Sequence, residues 1–141
     1  MEDAIEQALA EIPADSGAAA AVSLGREQAG RAEGAQAIRD HYADLSPVHT
    51  LNNLALVVWS LLGNRDFGAA VGEVVTAGLD TDCNGATVGG LWGLREGSIP
   101  EAWTQPWRER GAVSLAGFGE LNLEELVDRT VAVAGRIDRE A

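Results

Sequence analysis

The sequence predicts an all-α protein, and three observations carry that prediction. Apolar residues recur three and four positions apart along most of the chain, the spacing of one helix face. Runs in which β-branched residues alternate with polar ones stop after a few positions, so strand signals are nearly absent. The 17 glycines, set among abundant alanines, suit helices whose backbones approach closely.

Each element has its own warrant. Ile5, Ala8, Leu9 and Ile12 form the stripe of a first helix over residues 3–12, and Pro13 ends it. Asp15 or Ser16 is placed to cap a second helix reaching Leu24. From Gly25 through Gly30 and Gly34 there are few large apolar groups, so a helix towards Tyr42 has the weakest pattern in the chain. After Pro47 the character changes. Leu51, Leu54, Ala55, Val58, Leu61 and Leu62 share one helical face while Leu56, Val57 and Trp59 make the opposite face apolar, which marks a buried helix. Gly63-Asn64-Arg65 is a turn, Asp66 is an N-cap, and Phe67, Ala70, Val71, Val74 and Val75 stripe the next helix to about Gly78. A polar loop, Asp80 to Asn84, opens a helix in which Gly85, Gly89 and Gly93 recur every four residues and leave one face smooth for packing. Ile99-Pro100 begins a connection with Trp103 and Trp107, read as covers over helix ends. Asn122 then caps a last helix with Glu125 three residues on, a capping-box spacing. With no repeat and no linker, residues 1–141 read as a single domain.

Composition narrows the function classes. A net charge of −12, with every one of the 10 basic residues an arginine and none of them clustered, argues against binding a nucleic-acid backbone, which needs cations to displace counterions. Cys83 is the sole cysteine, so neither a disulfide nor a cysteine-rich metal framework is available, and the cytoplasm is the expected compartment. Met1-Glu2-Asp3 is acidic where a secretory signal is basic. The densest apolar run, residues 54–62, falls far short of the about 20 residues a membrane span needs. No membrane contact is expected.

The chemistry concentrates in Gly78-Leu79-Asp80-Thr81-Asp82-Cys83-Asn84-Gly85. Two carboxylates held together between apolar helices need a compensating cation, and the nearest arginines in sequence are Arg65 and Arg95. A divalent ion fits, with oxygen ligands favouring Mg²⁺ or Ca²⁺. The competing reading is a solvated loop whose aspartates cap the next helix. An EF-hand is a third: Asp80, Asp82, Asn84 and Gly85 match its positions one, three, five and six, but position twelve is Leu91 instead of the bidentate Glu.

The same residues carry a family resemblance. His49-Thr50-Leu51-Asn52-Asn53, the loop from Gly78 to Thr87, and Ile99-Pro100-Glu101-Ala102-Trp103 together resemble the C-terminal part of the ADP-ribosylglycohydrolase family, most clearly over residues 47–107. The resemblance implies an all-α, multi-helix orthogonal bundle, present as its C-terminal part. It implies a hydrolase that cleaves an ADP-ribosyl N- or O-glycosidic bond with Mg²⁺, two ions in a complete site. Asp80 and Asp82 match the family's C-terminal metal-ligand aspartates. Cys83 stands where many members have a ligating Thr or Ser, and a soft thiol is a poor Mg²⁺ ligand. Asn84 or a water is then the substitute, or one of the two metals binds weakly. His49, Asn52, Asn53, Thr81 and Asn84 are candidates for supporting the metal or the substrate, with capping and core hydrogen bonding as the plainer reading of His49, Asn52 and Asn53.

The family's N-terminal Gly-Asp and Thr-Asp-Asp-Thr-like segments do not occur before His49; Glu2, Asp3, Glu6, Glu11 and Asp15 lie instead on helix-like surfaces. The chain is therefore expected to be inactive alone, a fragment or split subunit whose ADP-ribosylated substrate binds once a complementing chain completes the site. A non-catalytic helical interaction module that self-associates, and a calcium-binding loop protein, are the alternatives. Trp59 and Trp92 read as core, His41 as surface, and Cys83 as a small packed residue.

Overall fold

A computed structural model describes the backbone of residues 1–140 and the side-chain surroundings of residues 1–137. The helices are α1 (Glu2–Ala10), α2 (Gly17–Gln28), α3 (Gly34–His41), α4 (Thr50–Gly63), α5 (Phe67–Thr76), α6 (Thr81–Glu96), α7 (Glu101–Thr104) and α8 (Leu123–Glu140). A single 3₁₀ turn, Gln105–Trp107, follows α7. Strands β1 (Arg110–Ala112) and β2 (Glu120–Asn122) pair antiparallel, with Gly111 opposite Leu121. The prediction of an all-α protein holds, with that hairpin as its correction. Strands of three residues are too short for a period-2 pattern to register.

The chain divides into two compact units, Met1–Ser98 and Ile99–Ala141. In the first, α4 is the axis, and every residue from Ala55 to Leu61 is buried. A helix apolar on all sides has to be enclosed, and α2, α3, α5 and α6 each pack against it. The α2–α4 contact is tight. A Cβ on Gly25 would lie 2.5 Å from the Ala55 carbonyl oxygen and 2.8 Å from Val58 Cβ. Gly34, at the start of α3, likewise leaves no room between the Gln28 carbonyl and the Trp59 indole, each 2.5 Å from where its Cβ would sit. Gly25 and Gly34, two of the three glycines that weaken the helix pattern between residues 25 and 37, are the ones that let these helices reach the axis.

Caps set the helix starts. Ser16 Oγ accepts from Ala19 N at 3.1 Å and Asp66 Oδ1 from Ala69 N at 2.9 Å. Of the two cap candidates before α2, Ser16 performs the role. Helix α1 is held at the surface by ion pairs from Glu2 and Glu6 to Arg26, and Ile5 is its buried residue.

In the second unit, Asn122 Oδ1 accepts from Glu124 N at 2.9 Å and from Glu125 N at 3.2 Å, capping α8. Leu123 N also donates to Glu109 O at 2.8 Å, tying the helix start to the hairpin. Trp103 and Trp107 are 41% and 56% exposed, and Leu126, Val127, Val131 and Ile137 on α8 are exposed as well. Among the described residues no helix is long and apolar enough to cross a membrane.

Candidate metal centre

The segment between α5 and α6 contains two consecutive left-handed residues, Gly78 at φ 85° and Leu79 at φ 63°. Glycine adopts that conformation freely, whereas Leu79 pays about 1 kcal/mol or more in Cβ crowding. The double turn reverses the chain so that α6 starts at once. Asn84 N donates to Asp80 O at 2.9 Å and closes the first helical turn. Asp82, Cys83 and Asn84 therefore lie in that turn, a correction to the polar loop expected over residues 80–84.

The helix also removes the EF-hand reading. A calcium loop needs irregular backbone to fold its alternate residues around the ion, and here all positions after the first belong to α6. The capping alternative is only half met. Asp80 occupies the N-cap position but its side chain makes no cap hydrogen bond, while Asp82 sits in the first turn, where the helix dipole favours an anion.

One ligand atom each from Asp80, Asp82 and Cys83 can be chosen so that all three lie within 4.8 Å of one another. Asp80 is half-buried and the other two are exposed. A hydrogen bond to the Asp80 carboxylate is the main cause that pushes the Cys83 thiol above its ordinary pKa, with the Asp80 charge, desolvation and the Asp82 charge adding to it. The thiol is thus protonated near neutral pH as well as soft, on both counts a poor partner for Mg²⁺. Its exposure corrects the expectation of a small packed residue. The carboxylate pair suits a hard divalent cation, and the open side leaves space for the waters such an ion retains.

Behind the aspartates lies a buried amide network. Asn53 Oδ1 accepts from Asp80 N at 3.2 Å and from Asn84 Nδ2 at 2.7 Å. Its own Nδ2 donates to Pro47 O at 2.8 Å and His49 O at 2.9 Å. Asn52 Nδ2 donates to Ser46 O at 3.0 Å, and Asn52 Oδ1 accepts from Asn53 N at 2.8 Å. The start of α4 is thereby fastened to the start of α6. His49 does not join the aspartates in this network; its Nδ1 accepts from Leu51 N at 3.2 Å as the α4 cap. Thr81 N donates to Leu79 O at 3.1 Å across the turn.

Sequence reading missed Arg39. From α3 its Nη1 donates to Ala77 O at 2.5 Å, one residue before the double turn. Thirty-eight positions separate the partners, so no local spacing signals the contact. Of the nearer arginines in sequence, Arg95 acts elsewhere: it lies 3.9 Å over the Trp92 ring and pairs with Glu96. A cavity of about 800 Å³ opens between α3 and α5 with Trp59 at its wall, and Arg39 and Ala77 line it while Asp80, Asp82 and Cys83 do not.

Known proteins were compared with the chain as a whole. No curated protein and no solved structure matches it. The ADP-ribosylglycohydrolase family model matches residues 1–139, well beyond the stretch of 47–107 in which the motifs are clearest. The matched residues take in both the helices around α4 and the aspartate pair at the start of α6, and the chain belongs to the ADP-ribosylglycohydrolase family.

Proposed function

We propose that Asp80 and Asp82 are the ligands this chain contributes to a Mg²⁺-dependent site for hydrolysis of ADP-ribosyl N- or O-glycosidic bonds. The observation that carries the reading is their convergence, with Cys83, within 4.8 Å on one turn of α6. Bound Mg²⁺ supplies charge that orients the ribose hydroxyls and polarises the reacting centre. The chain's own groups do the rest of the positioning. Asn53 holds the Asp80 N–H and the Asn84 amide, so both carboxylates start from a fixed backbone. The carboxylate that would orient the water attacking the anomeric carbon, where an oxocarbenium-like centre develops as the bond to the leaving nitrogen or oxygen breaks, belongs to the part of the site that completes this one.

Asp80 and Asp82 are the two carboxylates in the one group of three metal-ligating side chains among the described residues, which fits a part-site completed by another chain. The cytoplasm is the compartment that fits a lone, free cysteine. Manganese, which shares the oxygen preference of Mg²⁺, reads out the site by spin resonance or calorimetry. Asp80→Asn and Asp82→Asn should each abolish Mn²⁺ binding while circular dichroism stays unchanged; retained binding in both variants overturns the ligand assignment. In the same preparations the purified chain should release no ADP-ribose from ADP-ribosylated protein, and Mg²⁺-dependent release would reject the part-site reading.

A further inference from the structure

The double left-handed turn before Asp80 is held from two directions. Downstream, Asn53 Oδ1 takes the Asp80 N–H at 3.2 Å. Upstream, Arg39 Nη1 donates to the Ala77 carbonyl at 2.5 Å. Between these anchors stand Gly78 and Leu79, both at positive φ. A non-glycine residue in that region persists only where its surroundings over-determine it. Upstream, the Ala77 and Gly78 N–H groups also bond back to Glu73 O at 2.9 Å and Val75 O at 3.1 Å, which leaves the Ala77 carbonyl itself to Arg39.

Arg39 makes no ion pair among the described residues. Its guanidinium bonds a backbone carbonyl and the Gln36 side chain instead. A charged donor on a carbonyl is stronger than a neutral one. The Gln36 contact on the preceding turn of α3 fixes the direction of the arginine fork, and Gln36 in turn donates to Asp40 at 2.7 Å. A three-side-chain chain on α3 therefore aims one cation at the last carbonyl before the turn.

We propose that Arg39 is a positioning residue of the Asp80–Asp82 site, acting through the Ala77 carbonyl to keep the Gly78-Leu79 turn wound. The proposal rests on the metal-site reading above and adds α3 to the elements that set ligand geometry. Its consequence has a distinctive sign. Only Gly78 and Leu79 separate Ala77 from Asp80, so the guanidinium stays within roughly a Debye length of the carboxylates. As a nearby positive charge alone, Arg39 would repel a divalent cation, and neutralising it would tighten metal binding. As a positioning residue it does the opposite.

Arg39→Gln in the full chain should weaken Mn²⁺ binding by about tenfold, the usual effect of losing a group that orients a ligand. Arg39→Lys, which restores one donor and the charge, should recover part of the loss. Hydrogen exchange supplies a metal-free readout. In Arg39→Gln the Asp80 and Thr81 amides should exchange about tenfold faster while the α4 amides keep their protection. Unchanged or tighter Mn²⁺ binding in Arg39→Gln overturns the proposal. So does faster exchange spread through α4 and α5, which would make Arg39 a support of the fold at large. If wild type and Asp80→Asn bind Mn²⁺ alike, the ligand assignment fails, and the exchange pattern at Asp80 and Thr81 still decides whether Arg39 braces the turn.

Discussion

Two helix seams in the first unit are built on glycine, yet they differ in how much room they leave. At the α2–α4 seam a Cβ on Gly25 would meet a backbone oxygen at 2.5 Å and a Cβ at 2.8 Å. At the α5–α6 seam Gly85 would meet the end of the Val75 side chain at 3.1 Å, and Gly89 would meet Phe67 and Val71 at ordinary contact distance, 3.8 and 3.9 Å. Backbone cannot step aside, whereas a side-chain methyl can. The first seam therefore dictates the distance between its helices, and the second only records it. That places rigidity behind the aspartates, at α4, and tolerance on the helix that presents them.

The strongest way to break this contrast is Gly25→Ala. The new methyl has to displace either the α4 backbone or all of α2, and overpacking of that kind costs about 3 kcal/mol or more when relaxation is blocked. Denaturant unfolding should show a loss of that size. A loss below about 0.5 kcal/mol would mean that α2 shifts freely and the seam dictates nothing.

Asn53→Ala comes next, because Asn53 connects the two regions. It removes the acceptor for Asp80 N and Asn84 Nδ2 and the donor to the Pro47 and His49 carbonyls. Asn84 is 2% exposed, so its amide is left without water in place of Asn53. The expected cost is about 2 kcal/mol in chemical denaturation. Mn²⁺ binding should weaken in parallel, and a variant that is destabilised with unaltered binding would separate the network from the site.

What the sequence made legible follows the same division between local and distant causes. The caps at Ser16, Asp66 and Asn122 are readable because each bond spans two or three residues. Helix α4 is readable because an apolar surface on all sides has one structural meaning. Asp80, Asp82 and Cys83 meet because they share a single helical turn, and spacing alone brings them together. The start of that turn is not legible in the sequence, because Asp80 and Asp82 look like loop residues until the Asn84-to-Asp80 bond is seen. The contacts of Gly25 with Ala55 and of Gly34 with Trp59, and the reach of Arg39 to Ala77, depend on partners 30, 25 and 38 positions away. No pattern within one helix announces such a partner. Asn53 falls between these cases: its place beside His49 marked it as a candidate, but its bond to Asp80 crosses 27 positions.

The smallest effect gives the finest test of the looser seam. In Gly89→Ala the added methyl gains ordinary contacts with the Phe67 ring and Val71. Alanine also removes the backbone-entropy penalty of glycine inside a helix, worth up to about 1 kcal/mol. Both contributions have the same sign, so the variant should be more stable by about 0.5–1 kcal/mol, seen as a rise of a few degrees in Tm. At Gly85 the same propensity gain is opposed by the 3.1 Å approach to Val75, which has to give by a few tenths of an ångström. A stabilised Gly89→Ala establishes that the Gly89 position is glycine without packing need. Destabilisation there would show that α5 and α6 are as closely fixed as α2 and α4, and the distinction between the two seams would be lost.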